Sequence, residues 1–231
     1  MREISLGMVE SFQTAVGELD SKYQSVSWKL ADKMAISELH AWLDANDEPL
    51  PWSDVKNVTS DEWFFITTLY GEMTLDGQRT HIRRFFKPLF VETAGRDIRG
   101  FISNLESYNG LRSSWMKSRL CKMATILRDR GISMDEYVTY LQALDTEATP
   151  DNPMPSFDAI IRDHCATGWK TLSVFIRDCV LGNCFPIDSR VEKSLAKWNL
   201  PVDERLLVSL CLEIKRNPRE IARMFYGDGG E

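Results

Sequence analysis

Apolar residues along this chain recur at steps of three and four, and runs in which apolar and polar residues alternate for the length of a strand are scarce. Side chains three and four apart share one face of a helix, so the pattern predicts helices packed on helices and an all-α fold class. Leu6, Val9, Phe12, Val16 and Leu19 make one amphipathic helix of the first twenty residues. A second helical stretch is predicted from about Tyr23 to Leu43, and the two prolines of Asn46-Asp47-Glu48-Pro49-Leu50-Pro51-Trp52 predict a loop. Between Ser60 and about Leu144 several helices are expected, parted by turn signals at Asp76-Gly77, Ala94-Gly95, Asn109-Gly110 and Gly131. Thr146 to Pro155, with three prolines, reads as an exposed connection. Helices then follow at about 156–165, 169–181, 189–198, 202–214 and 217–226.

A chain of 231 residues with 43% hydrophobic content can build one sizeable domain or two small lobes. It contains no run of 18 apolar residues, and no apolar stretch of signal-peptide type follows Met1-Arg2-Glu3-Ile4-Ser5. The expectation is a soluble protein with no membrane partner, cytoplasmic and nucleoid-associated, or nuclear in a eukaryote. Five cysteines at irregular spacing (Cys121, Cys165, Cys179, Cys184, Cys211) suit reduced thiols. His40, His81 and His164 lack the spacing of a metal site, so no metal or other cofactor is expected. Charge is uneven: residues 1–76 carry 5 basic and 14 acidic side chains, 77–130 carry 12 and 4, and 131–231 carry 11 and 16. The central excess offers either a basic face for nucleic acid or an ordinary solvated helix surface.

The stretch richest in chemistry is Thr167-Gly168-Trp169-Lys170-Thr171, followed eighteen residues after Lys170 by Asp188 within Phe185-Pro186-Ile187-Asp188-Ser189-Arg190-Val191. Leu172, Phe175, Ile176, Cys179 and Val180 lie at helical spacing between them and would anchor a helix with Lys170 in its first turn. Gly182-Asn183 reads as the stop of that helix. Asp188 on its own is a candidate N-cap, but Ser189 and Glu192 have capping-box spacing, which predicts Ser189 as the cap and leaves the Asp188 carboxylate free. A lone Lys170 would ordinarily be a surface cation.

The order Gly168-Trp169-Lys170-Thr171-Leu172-Ser173-Val174, then Pro186-Ile187-Asp188-Ser189-Arg190-Val191, resembles the helix-hairpin-helix DNA glycosylases, endonuclease III-like and 8-oxoguanine glycosylases among them. Leu111 to Leu120 resembles the basic helix before the hairpin, and Leu69-Tyr70-Gly71-Glu72-Met73-Thr74 the segment that approaches the lesion, so the resemblance spans roughly residues 60 to 200. The hairpin itself reads His164-Cys165-Ala166-Thr167-Gly168, and the four-cysteine loop of some members is absent, so no iron-sulfur cluster is expected.

The resemblance implies a two-lobed helical fold with a cleft, one lobe formed by 1–55 plus 200–231 and the other by 56–199. It implies a base-excision enzyme, a DNA N-glycosylase with AP-lyase activity, acting as a monomer on double-stranded DNA that contains a damaged base such as 8-oxoguanine. Lys170 would be the amine nucleophile and Asp188 its carboxylate partner. Ala166, Thr167, Gly168, Trp169 and Thr171 would contact DNA, with backbone amides from 166 to 170 holding phosphate. Glu72 and Trp52 would line the lesion pocket. Two other readings stay open: a non-catalytic helix-hairpin-helix DNA-binding module, and a helical protein-interaction domain.

Overall fold

A computed structural model of the chain describes residues 4–23, 59–69, 77, 80, 84–103, 114–164 and 168–230. Among these the secondary structure is helical, with no strand and one isolated antiparallel bridge between Thr149 and Asn152. The fold is all-α. The α-helices among the described residues are α1 (Leu6–Tyr23), α2 (Ser60–Leu69), α3 (Glu92–Ala94), α4 (Gly100–Ser103), α5 (Ser114–Arg130), α6 (Met134–Asp145), α7 (Pro155–Asp163), α8 (Trp169–Phe175), α9 (Ser189–Lys197), α10 (Glu204–Glu213) and α11 (Pro218–Asp228). The helix predicted at 169–181 is α-helical only to Phe175. From Ile176 to Val180 it is wound as a π-helix, and Phe86–Val91 before α3 is wound the same way. The stretch predicted at 23–43 and the loop at 46–52 lie outside the described residues.

Local chemistry sets the helix ends. Thr59 and Glu62 form a reciprocal capping box at α2, with the Glu62 amide donating to Thr59 Oγ1 (3.2 Å) and the Thr59 amide to Glu62 Oε2 (3.0 Å). Ser133 and Glu136 repeat it at α6. Asp203 caps α10, and Asn217 caps α11 ahead of Pro218, whose missing N–H costs nothing at a helix start. Gly95 (φ 63°) and Gly131 (φ 65°) take left-handed turns, whereas Gly77 is helical.

The chain divides into two compact units. One comprises Met1–Asp32, Leu141–Ala159 and Ile176–Glu231, the other Lys33–Tyr140 and Ile160–Phe175. The first therefore joins α1 to the helices after residue 200, and also takes 141–159 and 176–199, which the sequence reading assigned to the central lobe. Its core stacks Phe12 on Phe225 (6.1 Å between centroids) and sets Phe185 edge-on to Phe225 (5.7 Å). Arg216 holds Asp20 through two hydrogen bonds (2.6 and 2.9 Å). Asp228 at the end of α11 accepts from Ser194 Oγ (2.6 Å) and Lys22 Nζ (3.0 Å). A Cβ on Gly229 would lie 1.7 Å from the Arg190 carbonyl oxygen, so only glycine lets the end of α11 approach α9 this closely.

The second unit is built on phenylalanines: Phe65 stacks on Phe90 (4.7 Å), and Phe86 and Phe101 complete the cluster. Tyr137 Oη donates to Asp163 (2.9 Å), which also pairs with Arg130 (2.6 Å). His164, fully buried, packs edge-on to Phe64 (5.5 Å) and faces the Arg119 carbonyl at 2.7 Å. A carbonyl only accepts, so Nε2 carries the hydrogen, and burial holds the imidazole below its ordinary pKa.

Asp61 makes a measurable exception to the usual carboxylate behaviour. Burial, reinforced by Asp97 and Asp135, lifts its pKa to about 6, against the opposing pull of the Ile98 amide, which donates to it at 2.8 Å. Because the folded value lies above the 3.8 of an unperturbed aspartate, the stabilisation is full below 3.8 and is lost as pH rises through about 6. Asp61→Asn keeps an acceptor for Ile98 and removes the charge. It is expected to be more stable than the native chain at pH 7.5, by ~1–3 kcal/mol, with the advantage shrinking as pH falls below 6. Thermal unfolding across pH 4.5–7.5 checks this; a difference independent of pH would refute it.

Candidate functional site

Lys170 is the second residue of α8. The Leu172 amide donates to the Gly168 carbonyl (3.2 Å), so the helix starts directly after Gly168, and its first amides have no acceptor within the helix. Leu172 and Phe175 are fully buried, with Phe175 edge-on to Phe64 at 5.2 Å, which fixes the rotation of α8 in its unit. Lys170 lies on the exposed side and makes no hydrogen bond or ion pair among the described residues. Gly168 is exposed, Trp169 is 43% exposed and hence not a core residue, and Thr171 is half-buried. Ala166 and Thr167, which with these make up the predicted DNA-contacting set, lie outside the described residues, as do Trp52 and Glu72.

Asp188 ends the segment 181–188, which has no regular structure although Gly182, Cys184, Phe185 and Pro186 within it are buried. Here the structure corrects the sequence reading: the N-cap of α9 is Asp188 and not Ser189. Asp188 has the extended backbone a cap requires (φ −117°, ψ −178°), and its Oδ1 accepts from the Arg190 (3.0 Å) and Val191 (2.9 Å) amides. Ser189 is already helical, so its hydroxyl is past the position from which it could cap. Both cap bonds use Oδ1. The half-buried Asp188 keeps Oδ2 unengaged among the described residues.

Lys170 belongs to the unit that holds residues 160–175, Asp188 to the unit that holds 176–231. The stop after the helix also differs in kind from the prediction. Leu181, not Gly182, takes the left-handed conformation (φ 59°), and the Gly182 amide closes on the Ile176 carbonyl (3.0 Å). Gly182 is needed for space, because a Cβ there would lie 2.2 Å from Asp145 Oδ2.

Three residues that periodicity did not single out tie this segment down. Gln142 Nε2 donates to the Val180 carbonyl (3.0 Å), Asp145 Oδ2 accepts from the Asn183 amide (2.7 Å), and Glu204 Oε1 accepts from the Phe185 amide (2.8 Å). One signal for Asp145 existed in the sequence: it directly follows the helical stretch read to about Leu144, and an acid at a helix C-terminus sits at the negative end of the helix dipole, where it is unfavourable.

Several cations of the central basic segment are committed internally. Arg99 pairs with Asp97 and Arg130 with Asp163, while Arg119 donates to the Thr68 carbonyl (3.0 Å); Arg84 and Arg96 are exposed. Among the described residues no group of His, Cys, Asp and Glu could hold a metal ion, Cys121, Cys179, Cys184 and Cys211 are free thiols, and no helix is long and apolar enough to cross a membrane.

Comparison with protein-family models, with curated proteins and with solved structures returned no match.

Proposed function

We propose that the chain is a monomeric DNA N-glycosylase with AP-lyase activity, built on the two-lobed helix-hairpin-helix plan, that excises an oxidised base such as 8-oxoguanine from double-stranded DNA. The observation that carries this reading is Lys170: an exposed amine with no counter-ion among the described residues, in the first turn of a helix anchored by a buried face. Its surroundings read Gly168-Trp169-Lys170-Thr171, with Asp188 at the family's spacing.

The chemistry is balanced without a cofactor. The damaged nucleotide is turned out of the duplex, because its sugar C1′ is inaccessible in the stack. An ammonium cannot attack, so a proton leaves the lysine first; the resemblance assigns the Asp188 carboxylate the role of the amine's partner. The amine nitrogen bonds to C1′ as the glycosidic bond breaks, and the base departs with the electron pair and takes up a proton. Opening of the C1′–O4′ bond leaves an iminium. Loss of a C2′ proton then expels the 3′ phosphate and cuts the strand. Trp169, exposed beside the amine, supplies an aromatic surface for an unstacked base.

Incubation of the purified chain with duplexes that each carry one lesion, in the presence of borohydride, tests the proposal. The expected result is a covalent protein–DNA adduct and base release for an oxidised purine. Salt-sensitive DNA retention without adduct or base release would identify the non-catalytic module instead, and no retention at low salt would leave the protein-interaction domain.

A further inference from the structure

We infer that Asp145, supported by Glu204, is a positioning residue for Asp188, holding the whole segment from Leu181 to Asp188 so that its terminal carboxylate is delivered in one orientation. The inference rests on the reading just proposed and names a part of the same site.

An irregular segment that is buried must find partners for its amides elsewhere. Here two carboxylates supply them, Asp145 to Asn183 at 2.7 Å and Glu204 to Phe185 at 2.8 Å. Glu204 is itself buried. Asp145 makes further bonds: its Oδ1 accepts from the Ser156 amide (3.0 Å) and its Oδ2 from the Ser156 hydroxyl (2.7 Å), so one side chain links the end of α6, the start of α7 and the segment. Gly182 leaves the space into which Oδ2 fits. The position carries two penalties, burial, which pushes the Asp145 carboxyl upward, and the negative end of its own helix. The hydrogen bonds that offset them all point to the segment and to the residue that braces it. Five residues beyond Asn183 the chain reaches Asp188, whose Oδ1 is committed to the α9 cap while Oδ2 is not. With both flanks fixed, the direction of Oδ2 is set by the segment's backbone.

Asp145→Asn presents one acceptor oxygen and one amide group, so it cannot accept from Ser156 and Asn183 together on both sides. Since a misplacement of ~1 Å at a reacting group can cost about 10²-fold, single-turnover excision is expected to fall about tenfold or more, with affinity for the lesion duplex within about twofold of native. The deciding measurement is a double-mutant cycle with Asp188→Asn: if Asp145 acts through Asp188, its substitution adds no further loss in that background. Asp20→Asn, which weakens the distant Arg216 contact in the same unit, is expected to lower the thermal midpoint without slowing excision. Should Asp145→Asn fail to fold, Glu204→Gln enters the same cycle. An active native enzyme with additive losses, or with Asp145→Asn and Glu204→Gln both at native rate, overturns the positioning role alone. A native chain that excises no base overturns it together with the proposed function.

Discussion

Lys170→Gln is expected to abolish the borohydride-trapped adduct and to lower base release on the order of 10⁴-fold or more, the scale on which loss of a nucleophile cuts turnover in well-studied hydrolases. Fold loss would not be the cause. Position 170 is exposed and without a partner among the described residues, and glutamine has nearly the helix propensity of lysine, so the unfolding free energy should stay within about 0.5 kcal/mol. DNA affinity should also persist, since one cation among several contributes about one unit of the salt slope. Thermal unfolding, salt-dependent retention and adduct yield on one preparation separate these effects. An adduct of undiminished yield would assign the attack to another amine.

The helices after residue 146 were legible because their apolar faces are complete. The faces read at 156–165, 189–198, 202–214 and 217–226 correspond to Pro155–Asp163, Ser189–Lys197, Glu204–Glu213 and Pro218–Asp228, and Leu172, Phe175, Ile176 and Val180 are all fully buried. Capping was legible only in part. The Ser/Thr-x-x-Glu spacing is realised at Thr59–Glu62 and at Ser133–Glu136, yet fails at Ser189–Glu192. The difference is the residue one step earlier: after Pro186 and Ile187 the chain is still extended at Asp188, and a carboxylate there reaches the two amides first. Gly182 teaches the same lesson for turns. Its spacing after the helix suggested left-handed backbone, but the left-handed residue is Leu181 and the glycine answers to a side chain 37 residues away in sequence, Asp145. Contacts of that separation leave no trace in local periodicity. Asp145 and Glu204 therefore could not be tied to Asp188 from the sequence, whereas the buried face of α8, Leu172 and Phe175, could be read from local spacing alone.

Because Asp188 both caps α9 and offers a free oxygen, two substitutions divide its roles. Asparagine is as good an N-cap as aspartate, so Asp188→Asn keeps the acceptor for the Arg190 and Val191 amides and should leave the thermal midpoint close to native. It cannot take a proton from an ammonium or balance positive charge at the sugar, so single-turnover excision should fall by about 10²–10⁴-fold. Alanine removes both functions: excision should fall at least as far, and stability should drop by about 0.5–2 kcal/mol from the lost cap. The cap loss has a second consequence, since the Arg190 carbonyl at the start of α9 is the surface on which Gly229 rests, and fraying there loosens the end of α11 as well. Asp188→Ala should thus unfold at lower temperature while Asp188→Asn does not, although both are expected to excise poorly. Excision by Asp188→Asn at the native rate would reduce position 188 to a helix cap, and the proton acceptor for the lysine would have to be sought in another group.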